Sequence, residues 1–327
     1  MIVLQQERDF SDKINAIFSF VSQNFKTLFL SVSYFAGPLS LMSGIANGII
    51  KTNRLDFASL DKTTPSGTSS ADIFSHSFES SISQLFTLNH LIAFTFIILA
   101  SATVAITVYA LIIEYRENPK LLTIHRIWAR MQTIFLPVLS SYSISLLILM
   151  LILISFAATI AALISSGGGF FAGFLSITIG LVGLFLITFF FVVYSLCPAI
   201  VAYESINVWE ALGRAMFLIK NKWWSTFGLI VIISIINSFV AMIFEVPTMI
   251  VTFMKLLKLG DGIAENVPLI ITTVISTVGQ VIVSSLTYVA ISFQYFNLVE
   301  KREGTGLKTL IESIGQKKLD FNEDEEY

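Results

Sequence analysis

Charge is scarce in this chain: Lys, Arg, Asp and Glu make up 13% of its 327 residues, about half the share usual in a soluble domain. So few charged side chains cannot clothe several soluble cores with polar surface. Cysteine is nearly missing, and the single Cys197 excludes an internal disulfide. The formal charge of −2 offers no general attraction to nucleic acid. Residues 1–9 lack the basic start, short apolar core and small-residue cleavage site of a removable signal peptide, so the first apolar segment is expected to be an uncleaved anchor. No Gly-rich phosphate loop, paired-histidine zinc helix or nucleophile elbow is present.

What abounds is apolar sequence, 55% of the residues at a mean hydropathy of +0.80. Six segments, 27–50, 89–113, 136–164, 170–201, 225–254 and 268–299, meet or exceed the length of about 20 residues that a bilayer crossing requires. Runs such as 144–154 and 177–193 show none of the alternation expected of barrel strands. The expected fold is an all-α integral membrane protein, with six transmembrane helices in three hairpins and amphipathic helices on the inner surface. A single membrane domain over residues 1–319 would be followed by an acidic tail, 320–327. Several spans are longer than the hydrocarbon layer, so they must tilt, kink or protrude, with Pro38 and Pro247 as candidate kinks and Pro198 near an inner end. The turn at Ser165, Ser166, Gly167, Gly168 and Gly169 predicts a tight outer hairpin.

Basic residues set the expected orientation. The N-terminal segment, second and fourth loops and C-terminal tail hold 15 Lys and Arg, against 5 in the other three loops, which predicts both termini in the cytoplasm. Trp128, Trp209, Trp223 and Trp224 all fall on that inner side, where their rings suit the headgroup layer. The largest outer loop, 51–86, contains a Ser/Thr-rich stretch and a short apolar stripe of Phe74, Phe78, Ile82 and Leu85.

The inner segments suggest an internal repeat. Glu7, Glu114, Glu204 and Glu300 each precede an amphipathic stretch. The apolar stripes begin at Ile14, Leu121, Ala211 and Leu307, and Ser11, Asn118, Asn207 (with Glu210) and Thr305 are the candidate caps. Three copies of surface helix, span and return span would give approximate threefold symmetry, each Glu pairing with a basic residue on a neighbouring surface helix or standing solvated at the interface. The competing account is that amphipathic loops are common in any polytopic protein.

Within the spans Glu245 is the only formal charge, which makes it a functional candidate. It lies 21 residues beyond Trp224, close to a full crossing, so an outer-interface structural role competes with a ligand or proton role. Asn237 and Gln280 are further polar positions that either tie helices together or serve transport. Gly37, Gly44 and Gly48, and Gly173, Ser176, Gly180 and Gly183, form small-residue stripes suited to close helix packing, or else to a groove for a lipid chain. His125 falls on the inner side, His76 and His90 on the outer side with Asp72 and Glu79. These are expected to be solvated rather than to hold zinc.

Residues 201–215, Val-Ala-Tyr-Glu-Ser-Ile-Asn-Val-Trp-Glu-Ala-Leu-Gly-Arg-Ala, followed by Lys222, Trp223 and Trp224, resemble the six-span membrane domain attached to some bacterial glycerophosphoryl diester phosphodiesterases. The stretch 298–307 is similar to stand-alone forms in Bacteroidota. The resemblance implies a bacterial inner-membrane domain and does not imply phosphodiesterase activity, because the soluble catalytic barrel needs about 250 residues and no soluble segment here exceeds about 40. His125 and Arg126 superficially match the catalytic His-Arg pair of that enzyme, yet they belong to an amphipathic helix and not to a strand end. The expected function is that of a non-enzymatic envelope protein, without cofactor, that binds membrane lipids or organises other membrane proteins. A transporter or channel for a lipid-like or small apolar substrate is the alternative.

Overall fold

A computed structural model describes residues 2–60, 87–119, 121–165, 169–257, 266–304 and 306. Among these residues the chain is helical, without a strand. The helices are α1 (Phe10–Leu60), α2 (Leu88–Glu117), α3 (Ile124–Ser165), α4 (Gly169–Glu204), α5 (Val208–Ile219), α6 (Trp223–Leu256), α7 (Asn266–Val283) and α8 (Ser285–Glu303). Helices satisfy their own backbone donors and acceptors, which suits segments too apolar to recruit water. Six helical stretches are long and apolar enough to cross a membrane, α7 and α8 together forming the sixth.

Several local expectations are corrected. The first two surface helices are not separate elements: Ile14 to Phe25 lie on α1 and Ile124 to Phe135 on α3, each running unbroken into an apolar segment. Among the described residues only α5 is a free-standing amphipathic helix, with Ala211, Ala215, Leu218 and Ile219 buried and Trp209, Met216 and Phe217 exposed. The segment expected as the outer loop begins as helix, because α1 continues to Leu60 through a stretch free of Pro and Gly. Ser11 lies inside α1, and α3 is capped by Thr123, whose Oγ1 accepts the Arg126 N–H at 3.4 Å, rather than by Asn118. Asn207 occupies the α5 cap position in extended geometry, but its side chain makes no cap bond. Pro38, Pro137, Pro198 and Pro247 sit within helices that none of them terminates. The segment 268–299 is interrupted at Ser284, whose hydroxyl donates to the Val281 carbonyl at 2.6 Å, a local bond that competes with the helical ladder. The stripe from Leu307, the cap Thr305, the tail 320–327, His76, Asp72, Glu79 and the Phe74 to Leu85 stripe lie outside the described residues.

The chain forms two compact units. The first comprises the described residues of 1–25, 108–233 and 287–327. α8 is its central helix: residues 289–299 are all buried. Edge-on aromatic contacts pack around it, Phe20 against Tyr115 and Phe293 with centroids 4.9 and 5.6 Å apart, and Tyr109 against Tyr203 at 5.6 Å. In the same unit α3 lies against α4, where a Cβ on Gly183 would meet the Phe156 ring. Away from the buried ends of the pair, which include Ile127, Met131, Leu196 and Ile200, apolar residues such as Leu147, Leu151, Phe174, Leu181 and Leu184 are exposed. Exposed apolar surface of that extent marks contact with lipid or another protein.

The second unit comprises the described residues of 26–107 and 234–286. Here Gly44 and Gly48 let α1 approach α7: an added Cβ would come within 2.9 Å of Val274 Cα and of Ile270 Cα respectively. The Ser43 hydroxyl donates to the Ala93 carbonyl of α2 at 3.2 Å, beside buried Ala46 and Ile50. Gly37, Gly173 and Gly180 have open space where a Cβ would be, so among the stripe glycines close packing falls at Gly44, Gly48 and, through a side chain, Gly183.

Candidate functional site

In the second unit the polar residues of three helices converge on one carboxylate. Glu245 of α6 receives the Lys51 ammonium of α1 on Oε1 at 2.9 Å. Its Oε2 accepts the Gln280 amide of α7 at 3.0 Å and the Ser276 hydroxyl. Gln280 also donates to Ser276 Oγ at 2.8 Å, one helical turn away. The spacing explains the convergence: Ser276 and Gln280 are four apart and share a face of α7, and Lys51 follows Gly44 and Gly48, which bring α1 close to that helix. The pair is partly open, with 42% of the Lys51 and 29% of the Glu245 side-chain surface accessible. A carboxylate with three donors and a counter-charge is stabilised in place, a geometry that ties helices together.

Two of the three polar candidates, Glu245 and Gln280, therefore meet. Asn237 does not join them: it sits eight residues before Glu245 on α6, about 12 Å along the axis. Lys51 and Ser276 were missed because Lys51 fell beyond the expected end of the first span and serine is unremarkable in an apolar helix. A one-turn pairing of Ser276 with Gln280 was the available signal.

The repeat glutamates lie in the first unit. Glu114 accepts Arg130 Nε at 3.0 Å, and the same guanidinium reaches Glu117 at 2.6 Å. Glu204 accepts Arg214 Nε on both oxygens at 3.0 and 3.1 Å, and it also accepts the Tyr295 hydroxyl at 2.9 Å. Arg214 bridges further to Glu303 at 2.5 Å, and the carboxylates of Glu303 and Glu204 hold the guanidinium protonated well above its ordinary range, outweighing partial burial. Glu300 accepts the Gly306 backbone N–H at 2.7 Å, and Glu7 lies 3.4 Å from Lys301. Glu114 and Glu204 thus each bind an arginine on the following amphipathic segment, whereas the segment after Glu300 lies outside the described residues.

Sequence reasoning also missed a buried polar layer on α8. Lys13, 2% exposed as a residue, donates from its ammonium to Gln294 Oε1 at 2.8 Å and Ser225 Oγ at 3.2 Å. Gln294 donates to Thr226 Oγ1 at 2.8 Å, and Asn297 donates to the Arg8 carbonyl at 3.0 Å. These bonds satisfy groups that would otherwise be costly inside the unit.

No family model, curated protein or solved structure matches the chain. Among the described residues, no group of three or more His, Cys, Asp or Glu could hold a metal ion. Cys197 is buried, at 3.5 Å from the Ser141 hydroxyl.

Proposed function

We propose that the chain is a non-enzymatic, multi-pass membrane protein that binds lipid through its inner rim and thereby organises the membrane around it. The observation that carries this reading is the construction of α5 and its junction with α6. The helix buries an alanine face and is clamped through Arg214 to Glu204 and Glu303, while Trp209, Phe217 and Trp224 face outward. A short amphipathic helix with fixed aromatic anchors suits the headgroup layer. The apolar surface of α3 and α4 supports insertion, and the Lys and Arg bias supports cytoplasmic termini in a bacterial inner membrane. The paired glutamates of the amphipathic segments support the repeat, and the resemblance to the phosphodiesterase-associated domain supports a common origin without shared activity.

Two experiments test this reading. Native mass spectrometry of the full chain released from mild detergent is expected to retain phospholipid, and uniform delipidation without loss of fold would refute lipid binding. In intact cells a Lys62→Cys variant is expected to react with an impermeant maleimide while Lys317→Cys does not. Labelling of both from the same side would refute the topology.

The Lys51, Glu245, Ser276 and Gln280 cluster favours a second reading, transport of a small substrate. That reading expects reconstituted flux to be abolished by Glu245→Gln; helix tying predicts no flux in either protein and a loss of stability in the variant.

A further inference from the structure

The first unit contains a concavity of about 290 Å³ lined by Leu218, Lys220, Asn221, Lys222, Leu298, Lys301 and Arg302. Four of these residues are cations and none is acidic. The turn between α5 and α6 creates the arrangement: Asn221 takes a left-handed conformation, φ 65°, which places Lys220 and Lys222 on either side of a sharp reversal. Lys301 and Arg302 come from the end of α8.

Among the described residues, internal neutralisation is incomplete. Lys301 has Glu7, itself 68% exposed, at 3.4 Å, whereas Arg302 donates to the Lys220 carbonyl and stacks over the Phe217 ring at 5.2 Å. Of the neighbouring acids, Glu303 is engaged by Arg214, and Glu300 accepts the Gly306 N–H. Buried Lys13 of the same unit is held by Gln294 and Ser225 and by no carboxylate in those bonds. Clustered like charges repel unless an anion joins them.

We propose that this pocket holds a phosphate-bearing anion, matched by the guanidinium fork of Arg302 and the point charges of three lysines. The two leucines in the lining, and exposed Trp224 and Phe217 nearby in the chain, make the headgroup of an acidic phospholipid the natural source. The volume suits a headgroup and not a whole lipid. In this form the inference deepens the lipid-binding reading and rests on it, and a soluble phosphoester is the other source of the same chemistry.

The test uses the full chain in neutral detergent, titrated with phosphatidylglycerol, phosphatidylcholine, inorganic phosphate or glycerol phosphate and read by native mass spectrometry. A pocket variant, Lys220→Gln with Lys222→Gln and Lys301→Gln, is compared with a control that removes three exposed cations from the same expected side, Lys26→Gln with Arg116→Gln and Arg126→Gln. The pocket variant is expected to bind phosphatidylglycerol about a hundredfold more weakly, and the control to change only a few-fold. A conservative variant, Lys220→Arg with Lys222→Arg, should retain binding, and equal melting temperatures certify that all are folded. Phosphatidylglycerol binding resistant to glycerol phosphate assigns the site to lipid; tight glycerol phosphate binding lost in the pocket variant assigns it to a soluble phosphoester. Equal losses in pocket and control variants, or none in either, overturn the site while leaving general lipid binding standing. Absence of any phospholipid or phosphate binding to the unmodified chain overturns both.

Discussion

Replacing Gly44 and Gly48 with alanine adds one methyl group to each of two successive turns of α1. At Gly44 the new Cβ would lie 2.9 Å from Val274 Cα and 3.3 Å from its Cγ2; at Gly48 it would lie 2.9 Å from Ile270 Cα and 3.1 Å from its Cγ2. Carbon atoms rest at about 3.5–4.0 Å, so α1 and α7 must part by roughly half an ångström or more. The nearest atoms are backbone, and no rotamer change relieves them. Overpacking costs about 1–3 kcal/mol per site, and the greater helix propensity of alanine recovers about 1 kcal/mol, leaving a net loss of about 2 kcal/mol for the pair. Parting also stretches the Lys51 and Ser276 bonds to Glu245 in the same unit. Reversible unfolding of the full chain in mixed micelles measures the loss, with Gly173→Ala plus Gly180→Ala as the reference. Those two positions have nothing within 4 Å, so the reference pair should be neutral or stabilising. If the Gly44/Gly48 variant proved as stable as the reference, the close approach of α1 to α7 would be refuted.

Glu245→Leu should destabilise the chain by about 2 kcal/mol, because Lys51, Ser276 and Gln280 all lose their acceptor. Combined with Lys51→Leu in a double-mutant cycle it should show a coupling of about 1 kcal/mol, and strict additivity would deny the pair. Arg214→Lys keeps the charge but loses the two-oxygen grip on Glu204, so a melting-temperature drop corresponding to about 1 kcal/mol is expected, where a simple charge effect predicts none. Ser205 follows α4 with φ 56°, and Ser205→Gly should raise stability by about 1 kcal/mol in thermal unfolding; an unchanged or lower melting point would contradict that backbone conformation.

The number and type of the elements were legible in the sequence because they are local properties. A run such as 170–201 has no charge, no alternation and ample length, and α4 covers it entirely. Glu245 stood out for the same reason, as a lone charge against an apolar background. The continuity of α1 from Phe10 to Leu60 was less legible, since a change from amphipathic to uniformly apolar sequence alters the surroundings of a helix without breaking its hydrogen bonds. The partners of Glu245 depend on how α1, α6 and α7 are rotated about their axes, which no single segment encodes.

Composition and hydropathy by themselves determined that this chain makes long apolar helices, because a segment without polar groups must satisfy its backbone internally. Tertiary structure alone decided which glycines matter: Gly44 and Gly48 meet a neighbouring backbone, whereas Gly37 on the same helix meets nothing. It also decided that α8, with Ser292, Gln294 and Asn297 along it, is the buried centre of its unit and not a polar surface helix. Each of those polar groups is tolerated there because its hydrogen-bond partner arrives from a segment distant in sequence, Tyr203, Lys13 and Arg8 respectively.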